Sequence, residues 1–126
     1  MTDPRDVLRR ARVVLLVAAA LGAGYLASRF TLITLPADGC SPVSRFTAGD
    51  HLLVDSRPRP LAPTDAVLVR DPGGVLQLTL VEVVHPETGA LWCEGDSTEC
   101  PGFGSDAAGW IPASAVAGRV LLGWSP

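Results

Sequence analysis

The sequence predicts a small, mainly β domain, a partly closed barrel, carried on one N-terminal transmembrane helix. Three observations predict it. Residues 13–28 form an uncharged, apolar run near the N-terminus. Turn signals then punctuate the rest of the chain about every 8–12 residues, the spacing of short strands. Hydrophobic residues make up 48% of the chain, too many for disorder, while 13 Gly and 11 Pro disfavour a helical bundle. At 126 residues there is room for one domain beside the anchor.

Charge narrows the function classes. All ten basic residues are Arg, and none is Lys. Nine Asp and four Glu bring the net charge to -3, which argues against nucleic acid as a partner. A chain without lysine has no lysine base, no Schiff base and no Walker-type grip on phosphate.

Three segments follow in order: a cytoplasmic tail over 1–12, a membrane anchor helix over 13–35, and an extracytoplasmic domain over 36–126. Residues 13–28 read VVLLVAAALGAGYLAS. Sixteen helical residues span about 24 Å, short of the roughly 30 Å hydrocarbon core. Apolar character resumes beyond Arg29, so a helix reaching Leu35 is long enough if Arg29 snorkels. Arg5, Arg9, Arg10 and Arg12 precede the run, which places the N-terminus in the cytoplasm and the body outside. A cleaved signal peptide is the alternative, but Tyr25 stands where a cut after Ala27 wants a small residue. The membrane lipid bilayer is therefore the first partner, in the cytoplasmic membrane, with a single pass.

The body reads as strands between turns. HLLVD (51–55) follows the turn at Gly49-Asp50, and 56–63, with three prolines, is a loop. AVLVR (66–70) is closed by Asp71-Pro72-Gly73-Gly74. The run 75–84 is the longest strand, with Leu76, Leu78 and Leu80 on one face and Val75, Gln77 and Thr79 on the other. HPETG is a turn, ALWCE (90–94) a strand, 95–112 a long loop, and VAGRVLLGW (116–124) the last strand. A loop of that length is functional or disordered.

Cys40, Cys93 and Cys100 are the thiols. A Cys93–Cys100 disulfide would close a short loop across EGDSTE, worth roughly 2.5 kcal/mol in the chain-entropy model; buried or idle thiols are the alternative. The C-x6-C spacing is not that of a zinc site, and no metal or cofactor is expected. Cys40 as a nucleophile wants a cationic neighbour, and no His lies within ten positions. His51 and His85 read as surface residues, with a general base as the alternative.

The stretch CSPVSRFTAGDHLLVD (40–55) resembles the nucleophile box of type I signal peptidases. Aligned without a gap, Ser41 takes the nucleophile position, Gly49-Asp50 match the family's Gly-Asp, and Leu52-Leu53-Val54 match its strand. Pro42 replaces a Met and Ser44 a Pro. Thr64-Asp65-Ala66-Val67-Leu68-Val69 is similar to the Gly-Asp-Val-Val-Val-Phe strand. Glu94-Gly95-Asp96-Ser97 is similar to the Gly-Asp-Asn box, and Gly109-Trp110-Ile111-Pro112 with Val116-Ala117-Gly118-Arg119-Val120 to the closing run. The resemblance covers 40–126, and the short build is most similar to the small maturation proteases of bacterial nickel superoxide dismutase. It implies a signal-peptidase-like β-barrel, and an extended leader or signal peptide as substrate beside Gly49, Asp50 and Asp96.

The resemblance also implies a Ser–Lys dyad, and here the chain departs from it. Thr79 takes the position of the family's base, within a side-chain length of Ser41; a slip of one residue would put Leu78 or Leu80 there instead. The Asp-Ser-Arg box is eroded to Gly104-Ser105-Asp106. A serine lacking its base loses at least the 10²–10⁴-fold typical of general-base assistance. Three readings follow: a degenerate, inactive or weakly active serine-endopeptidase fold; an active endopeptidase with His51 or His85 as base; and a peptide-binding adaptor using a sheet edge.

Overall fold

The computed structural model describes residues 3–57, 60–100 and 102–126. Parts of the two expected loops, 58–59 and 101, lie outside the described residues.

Helix α1 spans Pro4–Arg29. It starts where Asp3 accepts the Arg5 N–H at 3.0 Å and Pro4 occupies the first turn, both favourable at a helix N-terminus. It therefore takes in most of the expected tail. None of its side chains is buried, and it is long and apolar enough to cross a membrane. The expected helix through residue 35 is corrected, because α1 stops at Arg29 and strand β1 runs over Phe30–Thr34. Thr31, Ile33 and Thr34 are β-branched, and strand β2 (His51–Asp55) supplies the backbone partners that a lone apolar run lacks.

Strands β3 (Ala66–Arg70), β4 (Leu76–Val84), β5 (Leu91–Cys93) and β6 (Val116–Trp124) complete a six-stranded antiparallel sheet. Its order is β1-β2-β6-β3-β4-β5, so β1 and β5 are its outer strands. The mainly β class with one N-terminal helix is what the sequence predicts. The 95–112 loop contains one short helix, α2 (Ser105–Ala108), and a 3₁₀ turn at Ala113–Ala115 leads into β6.

Two hydrophobic clusters occupy opposite faces of β3. Ala66 and Leu68 pack with Val43, Phe46, Leu52, Val54, Leu78 and Val120. Val67 and Val69 pack with Val81, Leu91, Cys93 and Ile111. The central strand is thus buried on both sides, and its sequence reads as a continuous apolar run rather than an alternation.

Gly118 lets β6 pass close under β2. A Cβ there would collide with the Val54 side chain and lie 2.8 Å from the Asp55 carbonyl oxygen. Thr64, just before β3, holds φ at +77°, a left-handed backbone that β-branched residues disfavour. The conformation persists because Thr64 N–H donates to the Val81 carbonyl at 2.8 Å and Asp65 N–H to Ala62 at 3.1 Å.

Two stability outcomes follow. Gly118→Ala should cost about 1–3 kcal/mol, the usual range for overpacking, as read from chemical denaturation. Thr64→Gly should stabilise by about 1 kcal/mol, because the left-handed strain it removes exceeds the added chain entropy. A loss on Thr64→Gly would show that the strain is not stored at this residue.

Candidate functional site

Ser41 sits in the segment between β1 and β2, half-buried, beside a shallow depression of about 480 Å³. Its hydroxyl donates to the Val43 carbonyl at 2.8 Å and accepts the Val43 N–H at 3.3 Å. Both uses are local, and they hold the turn that aims Val43 into the core. The hydroxyl proton therefore points at a carbonyl and not at a base. The titratable side chains lining the depression are Asp96 and Glu99.

Three ties close the depression by joining the Ser41 segment to the 95–112 loop. Asp96 accepts the Ser44 N–H at 2.6 Å and the Ser44 hydroxyl at 2.7 Å. Ser97 N–H donates to the Pro42 carbonyl at 3.2 Å. Cys40 and Cys100 form a disulfide, with Cα atoms 5.7 Å apart. The expected Cys93–Cys100 bridge is thereby corrected. Cys93 is a free, fully buried thiol on β5, in the second core cluster. Burial pushes its pKa up to about 11, so it is inert as a nucleophile near neutrality. Gly95 and Gly102 make the approach possible, since a Cβ on Gly95 would lie 2.6 Å from the Pro42 carbonyl oxygen.

Asp50 is buried at the end of the same segment. It accepts the Thr47 N–H and hydroxyl, each at 2.9 Å, and the Ser125 hydroxyl at 3.0 Å. The two Thr47 bonds hold its carboxyl below the usual carboxylate range. The Ser44 bonds do the same for Asp96. Both are charged acceptors already occupied by donors, so neither is poised to take a proton from Ser41. Gly49 lies in the turn Thr47–Asp50, closed by Asp50 N–H to the Thr47 carbonyl at 3.1 Å. Asp96 lines the depression, while Gly49 and Asp50 belong to the turn that carries Thr47 and Ala48, which also line it.

Thr79 is fully buried on β4, and its hydroxyl has no hydrogen-bond partner among the described residues. It pairs with Val67, whose side chain belongs to the second cluster. Directly opposed residues share a face, so Thr79 faces that cluster. Val43 packs on the other face, with Leu78 in the same cluster and Leu80 against it. Placing Thr79 beside Ser41 is thus off by one residue. Leu78 and Leu80 are the β4 side chains on the face that meets the Ser41 segment.

The histidines are held elsewhere. His51 Nδ1 lies 2.8 Å from the Thr34 hydroxyl, and its ring is 5.9 Å from Trp124. His85 Nδ1 accepts the N–H groups of Glu87 and Thr88 in its own turn, with Trp110 edge-on at 5.3 Å. Among the described residues, no group of three or more His, Cys, Asp or Glu could hold a metal ion.

Sequence reasoning missed a carboxyl pair. Glu94 is held above its usual pKa, first by a hydrogen bond to Asp106 and then by the charges of Asp106 and Glu82. Glu94 and Asp106 line a small cleft under α2. No local signal announces this contact, because eleven residues of chain, nearly all of them loop, lie between the two.

No protein-family model, curated protein or solved structure matches this chain. What fold and site define is a class: an antiparallel β domain on an apolar helix, with a serine-bearing segment bridged to the loop opposite.

Peptide mapping without reductant should recover Cys40 joined to Cys100, with Cys93 free. Cys40→Ser should destabilise by up to about 4 kcal/mol, the chain-entropy value for the 60-residue separation. The Glu94 pair adds a pH signature. A carboxyl with a raised folded pKa contributes stability at low pH that is lost as pH rises through that value. Asp106→Asn should therefore raise Tm at pH 7, and the gain over the parent should shrink below about pH 4. A gain independent of pH would place its cause outside this pair.

Proposed function

We propose that this chain is a membrane-anchored, extracytoplasmic domain of the signal-peptidase type that binds an extended leader or signal peptide without Ser–Lys proteolysis. The observation that carries this reading is the state of Ser41. Its proton is given to the Val43 carbonyl, and leucines occupy the β4 face that meets its segment. Acyl transfer needs a nucleophile, a base and oxyanion donors together. The nucleophile position is present, and the base is not supplied by any lysine.

Two further features support the placement and the binding mode. Disulfides persist in oxidising compartments, which suits a body outside the cytoplasm. Strand β1 is bonded to β2 on one side, and its chain leads directly into the segment that carries Ser41. An extended peptide added at such an edge is held by backbone hydrogen bonds and needs no catalytic dyad.

Purified full-length protein in detergent should bind a labelled leader peptide in an anisotropy titration without cleaving it above background. Ser41→Ala should leave the affinity unchanged within about twofold. Turnover abolished by Ser41→Ala would overturn the non-proteolytic reading and establish an active serine endopeptidase. No binding at any accessible concentration would sink the peptide-binding reading itself.

A further inference from the structure

The depression beside Ser41 carries a disulfide in its wall. Cys40 and Cys100 both line it, and they are joined to each other. Cys40 is exposed, whereas Cys100 is only 7% exposed. A thiol arriving from solvent therefore meets the Cys40 side of the bridge. The chain of β1 runs on to Cys40, so a peptide that follows this chain from β1 arrives at the bridge. Cys93 takes no part, because it is fully buried in the second cluster.

The bridge is not the only tie between its two segments. Asp96 accepts the Ser44 N–H and hydroxyl, and Ser97 N–H donates to the Pro42 carbonyl. Gly95 and Gly102 lie close against Pro42. Cys100 N–H donates to the Ser97 hydroxyl at 3.3 Å, which holds the turn that carries it. None of these contacts needs the S–S bond. With that bond open they keep Cys100 Sγ beside Cys40, so reclosure is intramolecular.

Charge at the rim selects what arrives. Arg45 offsets part of the Asp96 charge. Glu99, exposed in the lining next to Cys100, forms no ion pair among the described residues. Asp38, two residues before Cys40, is exposed as well. Anionic thiols are repelled by this rim, and a cysteine with basic neighbours is drawn to it.

We propose that the Cys40–Cys100 bridge exchanges with the thiol of a peptide seated in the depression, a peptide whose cysteine has basic neighbours, and holds that peptide as a mixed disulfide on Cys40. The step rests on the peptide-binding reading above and adds covalent chemistry to it. The peptide thiol gives its proton to water, and the thiolate attacks Cys40 Sγ. The new S–S bond forms as the Cys40–Cys100 bond breaks. Cys100 Sγ leaves with the electron pair and takes a proton from water. The peptide thiol is oxidised and Cys100 is reduced, so no outside oxidant or reductant is consumed. Attack of Cys100 on Cys40 reverses the step, restores the bridge and releases the peptide.

The test uses the full-length protein in detergent and three versions of one extended apolar peptide: Cys between arginines, Cys between glutamates, and Ser between arginines. Exchange is quenched with acid, and adducts are mapped by mass spectrometry. Each rate is divided by that of the same peptide on hydroxyethyl disulfide, which cancels the effect of flanking charge on the thiol itself. On this scale the arginine-flanked peptide should load Cys40 about tenfold faster than the glutamate-flanked one. Glu99→Gln, at an exposed side chain, should shrink that ratio, and a ratio it leaves untouched would overturn the charge selection. In Cys100→Ser, the arginine-flanked peptide supplied as its thionitrobenzoate disulfide should load Cys40 and stay there, because the thiol that releases it is gone. Should Cys100→Ser fail to fold, the quenched adduct of the parent protein decides alone. Binding of the Ser peptide by anisotropy, with no adduct from either Cys peptide, would overturn the exchange and leave peptide binding standing. Equal rates for the two Cys peptides, or an adduct mapped to Cys100, would overturn it too. Neither binding nor adduct would overturn both.

Discussion

Strand β6 holds the molecule together, because it is bonded to β2 on one side and to β3 on the other. The N-terminal hairpin of β1 and β2 otherwise has no ladder to β3, β4 and β5 among the described residues. Every feature of the site inherits from this bridge. It places Val120 beside Leu52, Val54 and Leu68 in one cluster, and it brings Ser125 to Asp50. It also pairs residues near position 51 with residues near 124, so the sheet closes only after long stretches of chain have been ordered. Such non-local pairing is slow to form, and it brings β6 into the close passage at Gly118.

The serine-bearing segment has little secondary structure of its own and is fixed by what it touches. Val43 and Phe46 anchor it in the core, Asp50 staples its end, and Asp96 with the Cys40–Cys100 bridge ties it to the loop opposite. The carboxylates of Asp50 and Asp96 are spent on backbone N–H and hydroxyl donors. This accounts for a site rigid in shape and poor in chemistry: the carboxylates are charged and occupied, His51 is bonded to Thr34 across the sheet, and His85 serves its own turn. A site with shape and no base suits the proposed peptide binding, whereas acyl transfer needs the base as well.

Structure and sequence agree best where local turn chemistry bounds an apolar run. HLLVD, AVLVR and VAGRVLLGW were legible as strands because each apolar run is bounded by Gly, Pro or Asp, and their ends coincide with β2, β3 and β6. Residues 30–35 were misread as helix because apolar continuity with 13–28 outweighed the β-branched Thr31, Ile33 and Thr34. The parity of β4 was legible, with Leu78 and Leu80 opposite Thr79. Which parity meets Ser41 was not, since β3 and its neighbours bury both faces and alternation loses its meaning there. Thr64 shows the reverse: the resemblance aligns it with a glycine, and the structure holds it at a backbone angle that suits glycine.

The sequence by itself determined the apolar N-terminal helix, the strand-and-turn class of the body and the absence of any lysine base. These follow from composition and from periodicities shorter than ten residues. The tertiary structure alone decided that Cys40 takes Cys100, that Asp55 neutralises Arg29, and that Glu94 meets Asp106. Each of those pairs two points far apart in the chain. Cysteines and carboxylates carry no address for their partners. The sheet register that brings them together is set by the sum of many backbone and core contacts, which no single stretch of sequence contains.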